Sequence, residues 1–313
     1  MKNNRRGTDN MMFENFAQLA ELVKQMPQKT KVAVAAAEDR HTLEAITTAV
    51  KDGLVEAVLI GEEAKIAEIL AELGEKKENY EMITAADIDQ CLEIAVKLVN
   101  DKKAGAIMKG KLETGQLMKA ILNKENNLRK GGLISLVGFY ECPNYHKMFA
   151  VSDVAMNTYP DFEGKRAILE NAVEVLHKTG VEDPKVAVLC AVEKYNPKMK
   201  ETVDAAALKE LNQKGEISGC TVEGPISLDL AVVKESAAIK GFESPVAGDA
   251  DLLIVPDLVS GNLMVKALTE LGGCTTAGLM VGAKVPIILV SRAAAASDKY
   301  YSIALAAYTG GIK

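Results

Sequence analysis

The sequence has no tryptophan, only 4% aromatic residues and no excess of positive charge, and these shortages exclude several classes of protein. Its 313 residues include 37 Lys and Arg against 43 Asp and Glu, which gives a net charge of −6. Nucleic-acid-binding surfaces are rich in basic residues, and single-strand platforms also need aromatic rings. We therefore expect no nucleic-acid partner, and an anionic ligand must be held by local basic groups.

Long hydrophobic runs are also absent, since no stretch reaches the 18 uninterrupted apolar residues typical of a membrane-spanning helix. The N-terminal segment MKNNRRGTDNMMFENF lacks the apolar run of a signal peptide. No cysteine spacing indicates a metal knuckle or a CxxC pair, and the five cysteines are Cys91, Cys142, Cys190, Cys220 and Cys274. We expect all five to be reduced, and we expect a cytoplasmic protein that contains no metal and contacts no membrane.

What the sequence does have is a regular alternation of short apolar runs and longer amphipathic segments. KVAVAAA at 31–37 predicts a buried strand, and Leu43, Ile46 and Val50 recur at helical spacing after it. Such alternation is typical of βαβ units and a mostly parallel sheet, so we predict the α/β class. The other predicted strands are 55–61, 104–109, 133–138, 149–155, 185–191, 251–256 and 285–290, and the longer predicted helices are 41–51, 62–73, 89–99, 165–178, 204–213, 228–239, 262–271 and 297–308.

Two interruptions of this pattern indicate how the chain divides. Its length is above that of most single hydrophobic cores, and Pro143 and Asn144 break the alternation after residue 141. A second crossing falls near 278–284 if the last strand and helix return to the first domain. We predict a first α/β domain of residues 1–142 plus 280–313 and a second of residues 143–279.

Common catalytic motifs are missing, namely the GxxxxGK[ST] phosphate loop, GxGxxG after the first strand, HExxH and GxSxG. The three histidines, His41, His146 and His177, are far apart, so a Ser/His/Asp site is not indicated. Only His146 lies near the predicted domain boundary. Polar residues instead follow the carboxyl ends of predicted strands, which is where open α/β sheets bind ligands.

The last predicted strand, VPIILV, ends directly in Ser291 and Arg292. Ser297 is a suitable N-cap for the final helix, which places Asp298 in its first turn. A hydroxyl, a guanidinium and a carboxylate would then converge on one strand-to-helix turn. The spacing equally fits a simpler interpretation, in which Ser297 and Asp298 only cap the helix and Arg292 pairs with a surface carboxylate.

Two further strand ends carry candidate binding groups. Lys109 and Gly110 end a predicted strand, and Thr114 opens the next helix, where backbone N–H groups are able to hold phosphate. Lysines at a strand end are often simply solvated. The stretch from Asp257 to Gly261 and Asn262 is either a helix-capping turn or a ligand loop.

Four segments resemble the phosphate acetyl/butyryltransferase family, and the similarity runs from about residue 31 to the C-terminus. They are AVSDVAMNTYP at 150–160, VEGPISLDLA at 222–231, SPVAGDADLLIVPDLVSGNLMVKAL at 244–268 and GLMVGAKVPIILVSRAAAASD at 278–298. The third is the most specific. The short length is more similar to the butyryl enzymes than to the longer acetyl enzymes.

The resemblance implies the reaction acyl-CoA + phosphate ⇌ acyl phosphate + CoA, with CoA as substrate and no cofactor. It implies two three-layer α/β/α domains with a cleft, similar to isocitrate and isopropylmalate dehydrogenases, and a homodimer or larger assembly. The family's serine–arginine pair falls on Ser291 and Arg292, and its catalytic aspartate falls on Asp298. One departure affects the phosphate site, because the nearest basic residue to the family's arginine after the third strand is Lys119. Glu113, Thr114 and Gly115 replace the histidine and paired threonines that often precede it.

In the mechanism that we predict, CoA thiolate attacks acyl phosphate directly, without a covalent enzyme intermediate. Asp298 takes the thiol proton, Arg292 stabilises developing negative charge, and Ser291 donates a hydrogen bond. Ordinary pKa values of ~3.9 for a carboxylate and ~8.5 for a thiol make that transfer uphill by ~6 kcal/mol. The transfer therefore needs a stabilised thiolate or a desolvated aspartate.

Two other classes remain open at this stage. One is an NAD- and metal-dependent decarboxylating dehydrogenase of the same fold, for which Asp249, Asp251 and Asp257 are acidic candidates, although the first two should face solvent. The other is a non-catalytic ligand-binding protein derived from a transferase, in which the full Ser291, Arg292 and Asp298 set would have no reason to persist.

Overall fold

The protein is an α/β structure, and the computed structural model describes residues 13–290 and 294–310. The strands β1 to β11 are Thr30–Ala35, Val55–Gly61, Glu81–Thr84, Ala106–Lys109, Ser135–Glu141, Phe149–Ser152, Lys185–Leu189, Thr221–Ile226, Leu252–Ile254, Thr275–Val281 and Ile287–Ile288. The helices α1 to α11 are Phe16–Gln25, Arg40–Lys51, Glu63–Glu72, Ile88–Asn100, Thr114–Leu122, Phe162–Lys178, Lys200–Gln213, Leu228–Val232, Lys234–Ile239, Leu258–Glu270 and Ala296–Gly310.

All of these strands form one continuous sheet in the order β3-β2-β1-β4-β11-β10-β5-β6-β9-β7-β8. Pairing is parallel at both ends of the sheet, as the alternation of strands and helices predicts. At the centre, β5 pairs antiparallel with both β10 and β6. The carboxyl ends of β1, β4 and β11 therefore meet the central antiparallel strands along one edge of the sheet.

Helices cover both faces of the sheet, which gives three layers and two hydrophobic cores. The buried side chains of α1, α2, α6, α7 and α11 form one core, and those of α4, α5 and α10 contribute to the other. Strands alternate their side chains between the two cores, as Val32 and Val34 do on one face and Ala33 and Ala35 on the other. No helix among the described residues combines the length and the apolar character needed to cross a membrane.

The pairing of β5 with β10 joins the two segments that the sequence analysis assigns to different domains. β5 belongs to the segment 1–142, whereas most of β10 belongs to 143–279, and the two strands pair over their full length. The sheet therefore runs without a break from one segment to the other. The division into 1–142 plus 280–313 and 143–279 stays a prediction.

The expectation that all five cysteines are reduced is wrong for Cys142 and Cys274, which form a disulfide. The register of β5 and β10 pairs Glu141 with Thr275, so the next residues outward, Cys142 and Cys274, lie directly opposite each other. Their Cα atoms are 4.3 Å apart, although 132 residues separate them in the sequence. The sequence separation of the two cysteines therefore gave no indication that they form a pair across neighbouring strands.

Candidate functional site

A cleft of about 840 Å³ opens where β4, β5 and β10 meet α5, α10 and α11. Residues from both predicted domain segments line it. The polar lining residues that matter below are Lys109, Thr114, Tyr140, Asn262, Thr276, Asp298 and Ser302. The cleft thus brings together four of the predicted site residues, namely Lys109, Thr114, Asn262 and Asp298.

Asp298 lies half-buried in the first turn of α11 and faces β10. Its Oδ1 accepts a long hydrogen bond of 3.4 Å from the backbone N–H of Thr276. The helix begins at Ala296, one residue before the predicted cap, so Ser297 lies inside the first turn and is exposed. The carboxylate therefore contacts the sheet as well as its own helix, which favours a positioned group over a simple surface cap.

Burial raises the pKa of Asp298 above its ordinary value. The Thr276 N–H and the nearby Lys299 ammonium lower that pKa and offset only part of the rise. The desolvation that the sequence analysis names as one requirement for proton transfer is therefore the dominant effect on this pKa. The raised pKa of Asp298 lies closer to the pKa of a thiol, which makes proton transfer from CoA less unfavourable.

The predicted phosphate residues at the end of β4 lie between two adjoining cavities. Lys109 and Thr114 line the cleft, whereas Gly110 lines a second cavity of about 450 Å³ that shares Lys109 with it. A Cβ at Gly110 would stand 2.0 Å from the Ala36 carbonyl oxygen, so glycine is required where β4 leaves the sheet. Thr114 is the first residue of α5, whose N-terminus faces the same region.

The second cavity carries several basic side chains at the N-terminus of α2. His41, Lys111 and Lys299 line it together with Lys109. Lys299 is only 6% exposed and donates to the Ala294 carbonyl at 3.0 Å. The lysines are suited to the phosphate groups of an elongated anionic ligand, whereas the N-terminus of α2 is already capped by Asp39, which lines the same cavity and accepts the Thr42 N–H at 2.8 Å.

On α10, Asn262 and Gly261 serve the architecture of the cleft wall. Asp257 caps this helix by accepting the N–H of Ser260 at 2.8 Å, so the capping interpretation of that turn is correct. Asn262 lines the cleft, and its amide donates to the Val154 carbonyl at 3.3 Å. Gly261 is buried, and a Cβ there would come within 2.7 Å of Val255 and 3.1 Å of the Asp153 carbonyl oxygen. It allows the helix to approach the strands, and it is not part of the cleft lining.

Asp153 is a structural residue of the site that the sequence analysis missed, although it lies in the quoted AVSDVAMNTYP segment. It is 3% exposed, and its carboxylate accepts N–H groups of Leu136, Ala155 and Asn157 at 3.1, 3.1 and 2.9 Å. These bonds fix the loop after β6, which forms one wall of the cleft. The signal for Asp153 that the sequence offered was its position in a short polar segment that follows an apolar run.

Ser291 and Arg292 lie outside the described residues, and their predicted roles stay predictions. The residues on either side, Val290 and Ala294, both line the cleft.

The acidic residues that a metal-dependent dehydrogenase would need are engaged elsewhere. Asp249 contacts Lys147, Lys185 and His146, and Lys147 also binds Asp251 at 2.6 Å. Asp251 is buried rather than solvent-facing, contrary to expectation, because it also accepts the backbone N–H of Lys185. Within residues 13–290 and 294–310, no group of three or more His, Cys, Asp or Glu side chains could hold a metal ion.

Comparison with known proteins places the chain among acyltransferases. A family model for phosphate acetyl/butaryl transferase matches residues 68–307. A phosphate butyryltransferase of Clostridium acetobutylicum is 40% identical over 96% of this chain and 100% of that protein. A phosphate acetyltransferase of Thermotoga maritima is 42% identical over 88% of this chain and 94% of that protein. The crystal structure of a branched-chain phosphotransacylase from Enterococcus faecalis V583 matches with a TM-score of 0.80 at 32% identity, over 90% of this chain and 98% of that one.

These similarities confirm the family resemblance that the four sequence segments carry, and they confirm the predicted fold class. They extend over nearly the whole chain, including β10, α10 and the helix that bears Asp298. The chain belongs to the phosphate acetyl/butaryl transferase family.

Proposed function

We propose that Asp298 is the general base of a reversible acyl transfer between CoA and inorganic phosphate, with a short acyl group such as butyryl or acetyl. The observation that carries the proposal is the half-buried Asp298 carboxylate, held by β10 in a cleft that Lys109 and Thr114 also line. A base and anion-binding groups thus share one cavity of a size suited to a small ligand.

The reaction needs no group beyond those of the protein and its two substrates. Asp298 takes the proton from the CoA thiol, and the thiolate attacks the carbonyl carbon of the acyl phosphate. The carbon–oxygen bond to phosphate then breaks, which releases inorganic phosphate and leaves the thioester. In this proposal Arg292 stabilises the negative charge that develops, and Ser291 donates a hydrogen bond to the oxyanion or the thiolate.

The substrates divide between the two adjoining cavities. Lys109, Thr114 and the N-terminus of α5 bind the phosphate that leaves or attacks in the cleft. The second cavity, with His41, Lys111 and Lys299, receives phosphate groups of CoA. Lys109 lines both cavities, so a CoA molecule that spans them brings its thiol end toward Asp298.

The acyl chain has an apolar surface available in the cleft. Leu136, Val154, Val265 and Leu289 line it, and the first three are buried or nearly so. A phosphate butyryltransferase and a phosphate acetyltransferase have nearly the same sequence identity to this chain, 40% and 42%, so the proposal covers both acyl chain lengths.

The test is release of CoA from acetyl-, propionyl- and butyryl-CoA, followed with a thiol reagent in the presence and absence of phosphate. We expect release to depend on phosphate and to be slower by about 10²–10⁴-fold in Asp298→Asn. Release at the same rate without phosphate would indicate a thioesterase and overturn the proposal.

We also propose that the enzyme is a homodimer or a larger homo-oligomer. Large apolar side chains are exposed on α8 and α9 and between them, namely Leu228, Val233 and Ile239. Exposed apolar side chains that lie together are typical of an interface. Light scattering on the purified protein distinguishes a dimer from a monomer.

A further inference from the structure

The edge of β10 that faces α11 offers backbone donors that no strand accepts. β11 comprises only Ile287–Ile288 and pairs with β10 at Met280 alone. Alternate N–H groups of a strand point to opposite sides, so those of Thr276 and Gly278 point away from β5. Buried or half-buried N–H groups of this kind need acceptors.

Side chains of the first two turns of α11 supply these acceptors. The Thr276 N–H donates to Asp298 Oδ1 at 3.4 Å, and the Gly278 N–H donates to Ser302 Oγ at 3.0 Å. Asp298 and Ser302 are four residues apart, which places them on the same face of the helix. The base and the serine therefore bind neighbouring donors on one strand edge.

Ser302 also binds the backbone of the residue that carries the base. Its hydroxyl donates to the Asp298 carbonyl oxygen at 2.7 Å while it accepts from Gly278. The side chain is 1% exposed, so both bonds are shielded from water. The hydroxyl thus connects Gly278 of the sheet directly to the peptide of Asp298.

We infer that Ser302 is a positioning residue for acyl transfer, which fixes the first turn of α11 against β10 so that the Asp298 carboxylate stays half-buried and aimed into the cleft. This inference rests on the proposed role of Asp298 as general base. It concerns a residue that touches no reacting atom and acts through the aspartate alone.

Loss of the Ser302 hydroxyl removes the hydrogen bonds that connect the first turn of α11 to β10. Without it, the first turn of α11 gains freedom and water reaches the Asp298 carboxylate, whose pKa then moves toward its ordinary value. The titratable groups of neighbouring elements that line the same cleft or border Asp298 are Lys109, Glu113, Tyr140, Lys266, Glu270 and Lys299. Among the described residues, the hydrogen bonds of the Ser302 hydroxyl join Gly278 and Asp298, so we expect a shift of the acid limb to come from Asp298.

The experiment is a double-mutant cycle of Ser302→Ala and Asp298→Asn, with kcat and KM measured in the direction of acyl-CoA formation across pH. In Ser302→Ala we expect kcat to fall about 10- to 100-fold, as for a misplaced catalytic group, with KM values within about threefold. We also expect the acid limb of its pH profile to move to lower pH. In the Asp298→Asn background, the same change should lower kcat by less than about twofold.

Thr309→Val is the matched control, because the Thr309 hydroxyl is on the same helix and donates only to the Leu305 carbonyl of that helix, at 2.8 Å. We expect wild-type kcat and pH profile in this variant, and thermal unfolding of each variant shows that it is folded. If Ser302→Ala lowers kcat equally in both backgrounds, or keeps the wild-type pH profile, the positioning role is wrong. If Asp298→Asn itself retains wild-type kcat, the proposed base fails instead.

Discussion

At the scale of single residues, the site depends on how far water is kept from one carboxylate. Residue spacing alone predicted Asp298 in the first turn of the last helix, and the structure places it there. The spacing did not predict that burial would raise its pKa, because that burial comes from β10, which is remote in the sequence. Thr276 and Ser302 were missed for the same reason, since an isolated Thr or Ser carries no signal until its neighbours in space are known.

The raised pKa of Asp298 predicts the effect of its removal on stability. A carboxyl with a higher pKa in the folded than in the unfolded protein binds a proton more readily when folded, so its charge opposes folding at pH values above both pKa values. We expect Asp298→Asn to unfold at the same or a higher temperature than wild type at pH 7. The difference should shrink as the pH falls through the folded pKa, as thermal melts at pH 4–8 would show. A clear loss of stability at pH 7 would contradict this account.

Lys111 provides a prediction for the second cavity. Its exposed side chain lines that cavity, so Lys111→Ala removes one charge from the site proposed for CoA phosphates. We expect KM for CoA to rise about 3- to 10-fold with kcat little changed, because a charge-assisted contact of about 1 kcal/mol is lost. The effect should weaken at high ionic strength. Lys124→Ala, an exposed lysine outside both cavities, is the control, and equal KM values in the two variants would exclude the role of Lys111.

At the scale of elements, the alternation of strands and helices was predictable, whereas the centre of the sheet was not. The parallel strands β1, β2 and β7 are apolar runs that were predicted, whereas the outermost strands β3 (EMIT) and β8 (TVEGPI) were missed because neither is such a run. β10 was missed because its small and polar residues, TTAGLMV, lack an apolar run, and antiparallel pairing with β5 determines its conformation. The predicted last strand, 285–290, is reduced to Ile287–Ile288, and the predicted helix 228–239 divides at Val233 into α8 and α9.

The disulfide between the ends of β5 and β10 gives an element-scale prediction. Alkylation of unfolded, unreduced protein should detect three free thiols, Cys91, Cys190 and Cys220, and five after reduction. Reduction should lower the unfolding free energy by about 2–4 kcal/mol, because the bond closes a long loop. Cys142→Ser should show four thiols and a melting temperature that a reductant does not change. Five thiols in unreduced protein would show that the pair is open.

At the scale of the whole molecule, one sheet carries residues from both halves of the chain to a shared cleft. Lys109 comes from the first half, Asn262 from the second, and Asp298 from the C-terminal segment. The sequence predicted that these strand ends would converge, since carboxyl ends of parallel strands share one edge of a sheet. It could not predict which side chains line the cleft and which, like Gly261, lie beneath it, because that depends on packing distances of a few ångströms.

The central claim is that Asp298 takes the proton from the CoA thiol, and the most direct measurement is the pH dependence of kcat for acyl-CoA formation in wild type and Asp298→Asn. The account predicts a wild-type acid limb above the ordinary aspartate value of ~3.9. It predicts that the variant lacks this limb and has a kcat lower by about 10²–10⁴-fold. A variant with the wild-type acid limb and a kcat within about twofold of wild type would contradict it.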